Sequence, residues 1–133
     1  MVQKAVDCRT LKSWMDAGEA VLVDVREPAE HASEAIPGAV LLPMGRVSVD
    51  ALPPLEGRKL VVHCRKGGRG GRACEQLLAE QLGCDVYNLE GGIEAWAAAG
   101  LPIKSGMRKV LPLDRQVQLA VGSLVLAASL LAY

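Results

Sequence analysis

Phenylalanine is absent from the chain, and two Trp and two Tyr are its only aromatic side chains. Stacking platforms for single-stranded nucleic acid need exposed aromatic rings, so that class is disfavoured. Net charge is missing too: fifteen basic and fifteen acidic residues cancel. A uniformly basic nucleic-acid binder is therefore not expected. Cysteine is sparse, and four in 133 residues, at 8, 64, 74 and 84, are too few for a secreted disulfide scaffold. No C-x-x-C pair occurs and no His stands at ligand spacing, so no metal site is expected. The first ten residues carry charges and no apolar run, unlike a secretory leader. What is present is half apolar, enough for one buried core at this length. The composition suits a cytosol-facing globular domain with reduced thiols.

The balanced charge is unevenly placed. Arg65, Lys66, Arg69 and Arg72 give residues 64–74 a charge of +4 with no acid among them. Lys104, Arg108, Lys109 and Arg115 against Asp114 give residues 104–115 a charge of +3. Each cluster reads either as a solvated face or as something sharper: an anion trap for the first, a membrane flank for the second. Residues 116–133 contain no charge. As a helix they would be roughly 27 Å long, near the ~30 Å of a bilayer core. Basic residues before the run and none after it fit a span with the preceding residues in the cytoplasm. The other reading is a helix packed on the domain or on a second copy. The span is preferred because the segment is apolar around its whole circumference.

Short apolar runs alternate with helical patterns along the rest of the chain. Residues 21–25, 40–42, 60–63 and 85–89 read as strands, with 4–7 a weaker first one. Leu11, Trp14 and Met15, then Cys74, Leu77, Leu78 and Leu82, then Ile93, Trp96 and Ala97, mark amphipathic helices. Residues 43–57, with Pro43, Pro53, Pro54 and Gly57, read as mostly loop. The alternation predicts an α/β fold: a mostly parallel five-stranded sheet with helices on both faces, plus a C-terminal apolar helix. In such sheets chemistry sits beyond the carboxyl ends of the strands.

The strand ending at His63 delivers Cys64 into CRKGGRGGR. A helix starting near Gly70 would aim its N-terminus at the sulfur. That terminus, the four bases and an exposed position would all favour thiolate over thiol. Glycines at 67, 68, 70 and 71 let successive N–H groups converge on an anion. A lone Cys after a strand is more often apolar filler. One followed by four bases and four glycines within eight residues reads as a nucleophile in an anion cradle.

With these residues in place, the chain resembles the single-domain rhodanese sulfurtransferases over about residues 3–103. Val23-Asp-Val-Arg-Glu-Pro28 is similar to the family's D-V-R-E strand end, and Ile36-Pro-Gly-Ala39 to its I-P-G-A turn. Cys64-Arg-Lys-Gly-Gly-Arg69 resembles the C-x-x-G-x-R active-site loop. Leu89-Glu-Gly-Gly-Ile-Glu-Ala-Trp96 followed by Gly100-Leu-Pro102 resembles the L-x-G-G-x-x-x-W…G-x-P ending. Two positions depart from the pattern. Gly70 stands where Ser, Thr or Ala is common, and should cost roughly 1 kcal/mol of helix propensity and a capping hydroxyl. Glu34-Ala35 replaces a Gly-His pair. The basic stretch and apolar tail further resemble bacterial rhodaneses joined to a small membrane domain of two spanning helices, here as if cut after the first.

The resemblance implies a rhodanese-like three-layer sandwich at 1–103, a basic juxtamembrane linker at 104–115 and a first transmembrane helix at 116–133. It also implies a thiosulfate sulfurtransferase at the cytoplasmic side of a bacterial inner membrane. Cys64 would take the sulfane sulfur as a persulfide and pass it to cyanide or a thiol. Arg65, Lys66 and Arg69 would hold the anionic donor, with backbone N–H groups from Arg65 through Gly67 and Gly68 to Gly70. Asp24 and Arg26 would support the loop, Arg69 turning inward to pair with Asp24. No metal or organic cofactor is implied. Ser123 and Ala127, four apart, would allow a homodimer through the tail.

Other readings stay open beside this one. Cys8, Cys74 and Cys84 read as structural, and His63 as a packing residue rather than a base. Asp24, Arg26 and Glu27 also read as a surface ion-pair cluster. Phosphatases and arsenate reductases of this fold place Arg one residue further from Cys than Arg69 stands. A non-catalytic redox or persulfide sensor, or a sulfur-relay module, uses the same cysteine without turnover.

Overall fold

The computed structural model describes residues 1–106. The described residues fall into two units: residues 1–31 with 35–104, and residues 32–34 with 105–106. In the second unit the Gly106 N–H donates to the Ser33 carbonyl at 2.9 Å. The first unit holds every residue of the candidate site described below.

The elements in chain order are β1 (Gln3–Val6), α1 (Cys8–Asp16), β2 (Ala20–Asp24), α2 (Pro28–Ser33), β3 (Glu34–Ala35) and β4 (Val40–Leu41). After them come β5 (Lys59–His63), α3 (Gly68–Ala79), β6 (Val86–Leu89), α4 (Gly92–Ala98) and β7 (Lys104–Ser105). Two single 3₁₀ turns, Met44–Arg46 and Val49–Ala51, interrupt the long connection before β5. The five-stranded sheet has the order β1-β6-β5-β2-β4, and every pair in it is parallel.

Parallel strands covered on both faces must be apolar on both, and the central ones are. In β2 and β5, Val21, Val23, Leu60 and Val62 join one buried cluster with Ala73, Cys74 and Leu77 of α3. Leu22 and Val61, one residue out of phase, join the opposite cluster with Leu11 of α1 and Ile93 and Trp96 of α4. The period-two alternation of the pleat thus sorts each strand between two cores. Capping sets where α1 begins: the Asp7 carboxylate accepts the Thr10 N–H at 2.7 Å, which holds its pKa below the usual range.

Register then decides what meets at the strand ends. Asp24 lies opposite His63, and Val62 opposite Asn88. Polar side chains from three adjacent strands therefore collect at one carboxyl edge, where β5 opens into Cys64.

Two sequence expectations change. The helix after Cys64 begins at Gly68, not near Gly70, because Gly67 already supplies the turn. Pro28–Ser33 forms a short helix that the apolar pattern did not mark, since none of its residues is buried. The apolar helix expected at 116–133 and the linker beyond Gly106 lie outside the described residues. Among the described residues no helix is long and apolar enough to cross a membrane.

Candidate active site

Cys64 stands at the first position after β5, and its sulfur is almost wholly covered, the residue being 1% exposed. The exposed position expected from sequence is not observed. The reason is Gly67, whose φ of +119° folds the loop back over the sulfur, in a region that L side chains rarely adopt. The same fold aims the Gly67 N–H at Cys64 Sγ, 3.0 Å away. A backbone donor fixed at that distance is placed to hold negative charge on sulfur.

The helix that follows comes close to the sulfur because Gly70 has no side chain. A Cβ there would run into Asn88 Oδ1 and stand 3.7 Å from Cys64 Sγ. Gly70 is therefore a buried packing position in the first turn of α3, not the helix cap, a place taken by Gly67. Asn88 Nδ2 donates to the Gly67 carbonyl at 3.0 Å, fixing the turn from β6. A third hold comes from α4. The Ile93 N–H donates to the Cys64 carbonyl at 2.9 Å and the Glu94 N–H to the Arg65 carbonyl at 3.1 Å. Gly92, at φ +58°, lies so near these carbonyls that a Cβ would overlap both.

Cations line the mouth. Cys64, Arg65, Lys66, Gly68, Arg69 and Arg72 enclose an open pocket of about 380 Å³. Arg69 does not pair with Asp24. It forms a two-point bridge to Glu30, Nη1 to Oε1 at 2.8 Å and Nη2 to Oε2 at 3.1 Å. The Arg69 hydrogen bonds hold the Glu30 carboxyl down at about 2, and Glu30 in turn raises the Arg69 pKa. Arg65 Nε bonds Glu94 Oε2 at 2.8 Å on the surface. Among the described residues Lys66 and Arg72 have no carboxylate within 4 Å.

Asp24 has other partners. Arg26 folds back on it through its backbone N–H at 2.9 Å, Nε at 3.0 Å and Nη2 at 2.8 Å, and His31 Nδ1 donates to it at 2.8 Å. Asp24 and Arg26 are buried, so their pairing is internal support and not a surface cluster. Burial works to raise the Asp24 pKa, but the Arg26, His63 and His31 contributions outweigh it and the carboxyl is held below its ordinary value. His63 is fully buried, and its Nδ1–H donates to the Cys64 carbonyl at 3.1 Å. Burial depresses the His63 pKa against the pull of Asp24.

The expected loop residues are thus brought together, with Asp24 and Arg26 behind them. Glu30, Asn88, Gly92 and Glu94 are the residues that sequence reasoning missed. Cys74 is buried in the core, where burial pushes its thiol up to about 12.

The Rhodanese-like domain family matches residues 7–99. A protein of Allochromatium vinosum named Sulfurtransferase is 43% identical over 99 residues, covering 74% of this chain and 92% of its own. An uncharacterized protein of Synechocystis sp. is 39% identical over 123 residues, covering 92% of this chain and 68% of its own. Among solved structures, a thiosulfate sulfurtransferase from Pseudomonas aeruginosa superposes with a TM-score of 0.67 at 30% identity. That likeness covers 77% of this chain and 19% of the other.

Proposed function

The chain belongs to the rhodanese-like family, and on that premise we propose that it is a thiosulfate sulfurtransferase working through a persulfide on Cys64. Relatives named as sulfurtransferases support a transferase role in general. One observation carries the specific reading: the Gly67 N–H aimed at Cys64 Sγ from 3.0 Å, at the floor of a basic pocket. In the first half-reaction the Cys64 thiolate attacks the outer sulfur of thiosulfate. The thiosulfate S–S bond breaks and sulfite leaves with the electron pair. Cations around the mouth draw in the dianion, and the loop donor holds charge on sulfur between steps. In the second half-reaction cyanide or a thiol takes the outer sulfur and restores the thiolate. The residues themselves supply the nucleophile, the charge and the donors for both steps.

We place this chemistry at the cytoplasmic face of a bacterial membrane, tethered through residues 116–133. The uncharged run and the basic residues before it support that placement. The decisive experiment is intact mass after thiosulfate treatment. The parent protein should gain one sulfur atom, and Cys64→Ser should gain none, because a serine hydroxyl stays protonated at neutral pH. A gain that persists in Cys64→Ser would overturn the assignment.

A further inference from the structure

The four cations of the pocket are not equivalent. Arg65 and Arg69 are each engaged by a carboxylate, Glu94 and Glu30, at 2.8 Å. Lys66 and Arg72 line the same pocket, are exposed, and among the described residues have no carboxylate within 4 Å. The placement of Arg72 differs as well. Arg72 lies four residues beyond Gly68 in α3, so its Cα stands roughly 6 Å further along the axis than the start of the helix. Thiosulfate is short and carries the charge of its sulfonate oxygens two bonds from the sulfur that reacts. That charge belongs at the floor of the pocket, beside Cys64. A cavity of about 380 Å³ falls within the range that holds a whole organic ligand.

We propose that Lys66 and Arg72 form a distal anion subsite that selects small thiols bearing a carboxylate several bonds from sulfur as the sulfur acceptor. The proposal rests on the sulfurtransferase reading for its substrate, though not for its charge. With the thiol sulfur over Cys64, the acceptor's remote carboxylate lies against Arg72 and Lys66. The acceptor thiolate attacks the outer sulfur of Cys64–S–SH. A new S–S bond forms, the persulfide bond breaks, and the electron pair leaves on Cys64 Sγ, where the Gly67 N–H receives it. The acceptor departs as its own persulfide, so no external oxidant or reductant is needed. Exposed charge pairs are weak singly, so discrimination comes from two cations acting on one ligand.

Two measurements on the full chain test this and keep it separate from the sulfurtransferase reading. The first follows modification of Cys64, read on the peptide that carries it, by a disulfide with remote carboxylates, 5,5′-dithiobis(2-nitrobenzoate), and by neutral 2,2′-dithiodipyridine. Arg72→Glu should slow the charged probe about tenfold more than the neutral one, and Arg72→Lys should restore the ratio to within about twofold. The second loads Cys64 with sulfur and times its transfer to 6-mercaptohexanoate against 6-mercaptohexanol. Arg72→Glu and Lys66→Ala should erase the preference for the carboxylate thiol. Unchanged ratios in both measurements would overturn the subsite. If Cys64 takes no sulfur but the probe ratio shifts as expected, the sulfurtransferase reading fails while the anion subsite stands.

Discussion

Cys64 and Cys74 lie in the same buried cluster, and both are covered almost completely, at 1% and 0% exposure. Their surroundings are opposite in kind. Cys74 sits mid-helix against apolar side chains, and burial lifts its thiol to about 12. Cys64 has a backbone N–H at 3.0 Å and a rim of guanidinium groups above it. On the proposed chemistry, burial alone does not decide whether a sulfur reacts; the donors and charges that accompany burial do.

The contrast is tested most severely by exchanging the two sulfurs' fates. Cys64→Ser should abolish sulfur transfer, while Cys74→Ala should keep it within a few-fold and lower stability by about 1–2 kcal/mol, read by chemical denaturation. Loss of activity in Cys74→Ala beyond its loss of folded protein would erase the distinction. Next in size is Gly92→Ala, which disturbs only the surroundings of Cys64. Its Cβ would overlap the Cys64 and Arg65 carbonyls at a φ of +58°, so a loss of about 2–4 kcal/mol is expected. Persulfide formation should fall even in the fraction that remains folded, which intact mass would show.

A smaller effect is expected from Glu30→Gln, which releases Arg69. Because the Glu30 carboxyl is depressed in the folded state, the clamp is at full strength above the ordinary Glu range near 4.5 and fades as pH falls toward 2. Stability curves of the parent and Glu30→Gln should therefore differ at neutral pH and converge across that acidic window. Curves that stay parallel to pH 2 would mean that the bridge contributes nothing. Least of all should follow from Glu94→Gln. The Arg65 and Glu94 side chains are 62% and 45% exposed, and pairs of that kind are worth about 1 kcal/mol or less. Thermal melts should barely move.

These expectations rest on residues of unequal legibility. The strands were readable because β-branched runs between glycines and prolines have few other uses, and CRKGGRGGR declared its chemistry by its cations. Asp24 and Arg26 were visible as a pair, yet Arg69 was assigned to the wrong carboxylate. Two residues of separation let Arg26 fold back onto Asp24, and this leaves Arg69 to Glu30, 39 positions away. No local pattern encodes a choice of that range. Gly70 looked like a defective cap because helix propensity is a one-dimensional measure, whereas its reason lies across space in Asn88. Gly92 and Asn88 were missed for the same cause: each acts on a neighbour brought to it only by sheet register. The start of α3 moved because the left-handed turn at Gly67 allows the helix to begin earlier than charge and glycine spacing suggest.

The triple hold on the loop after β5 also constrains the order of events during synthesis. Asn88, Ile93 and Glu94 follow Cys64 by more than twenty residues, so none of their bonds to Gly67, Cys64 and Arg65 exists while the ribosome has delivered only the nucleophile. Contacts of such separation form late, after the loop-closure entropy of the intervening chain has been overcome. Until β6 adds beside β5 and α4 docks, the CRKGGRGGR segment is an unbraced glycine-rich strand. In a nascent domain the sulfur therefore acquires its surrounding pocket only as β6 and α4 close over it.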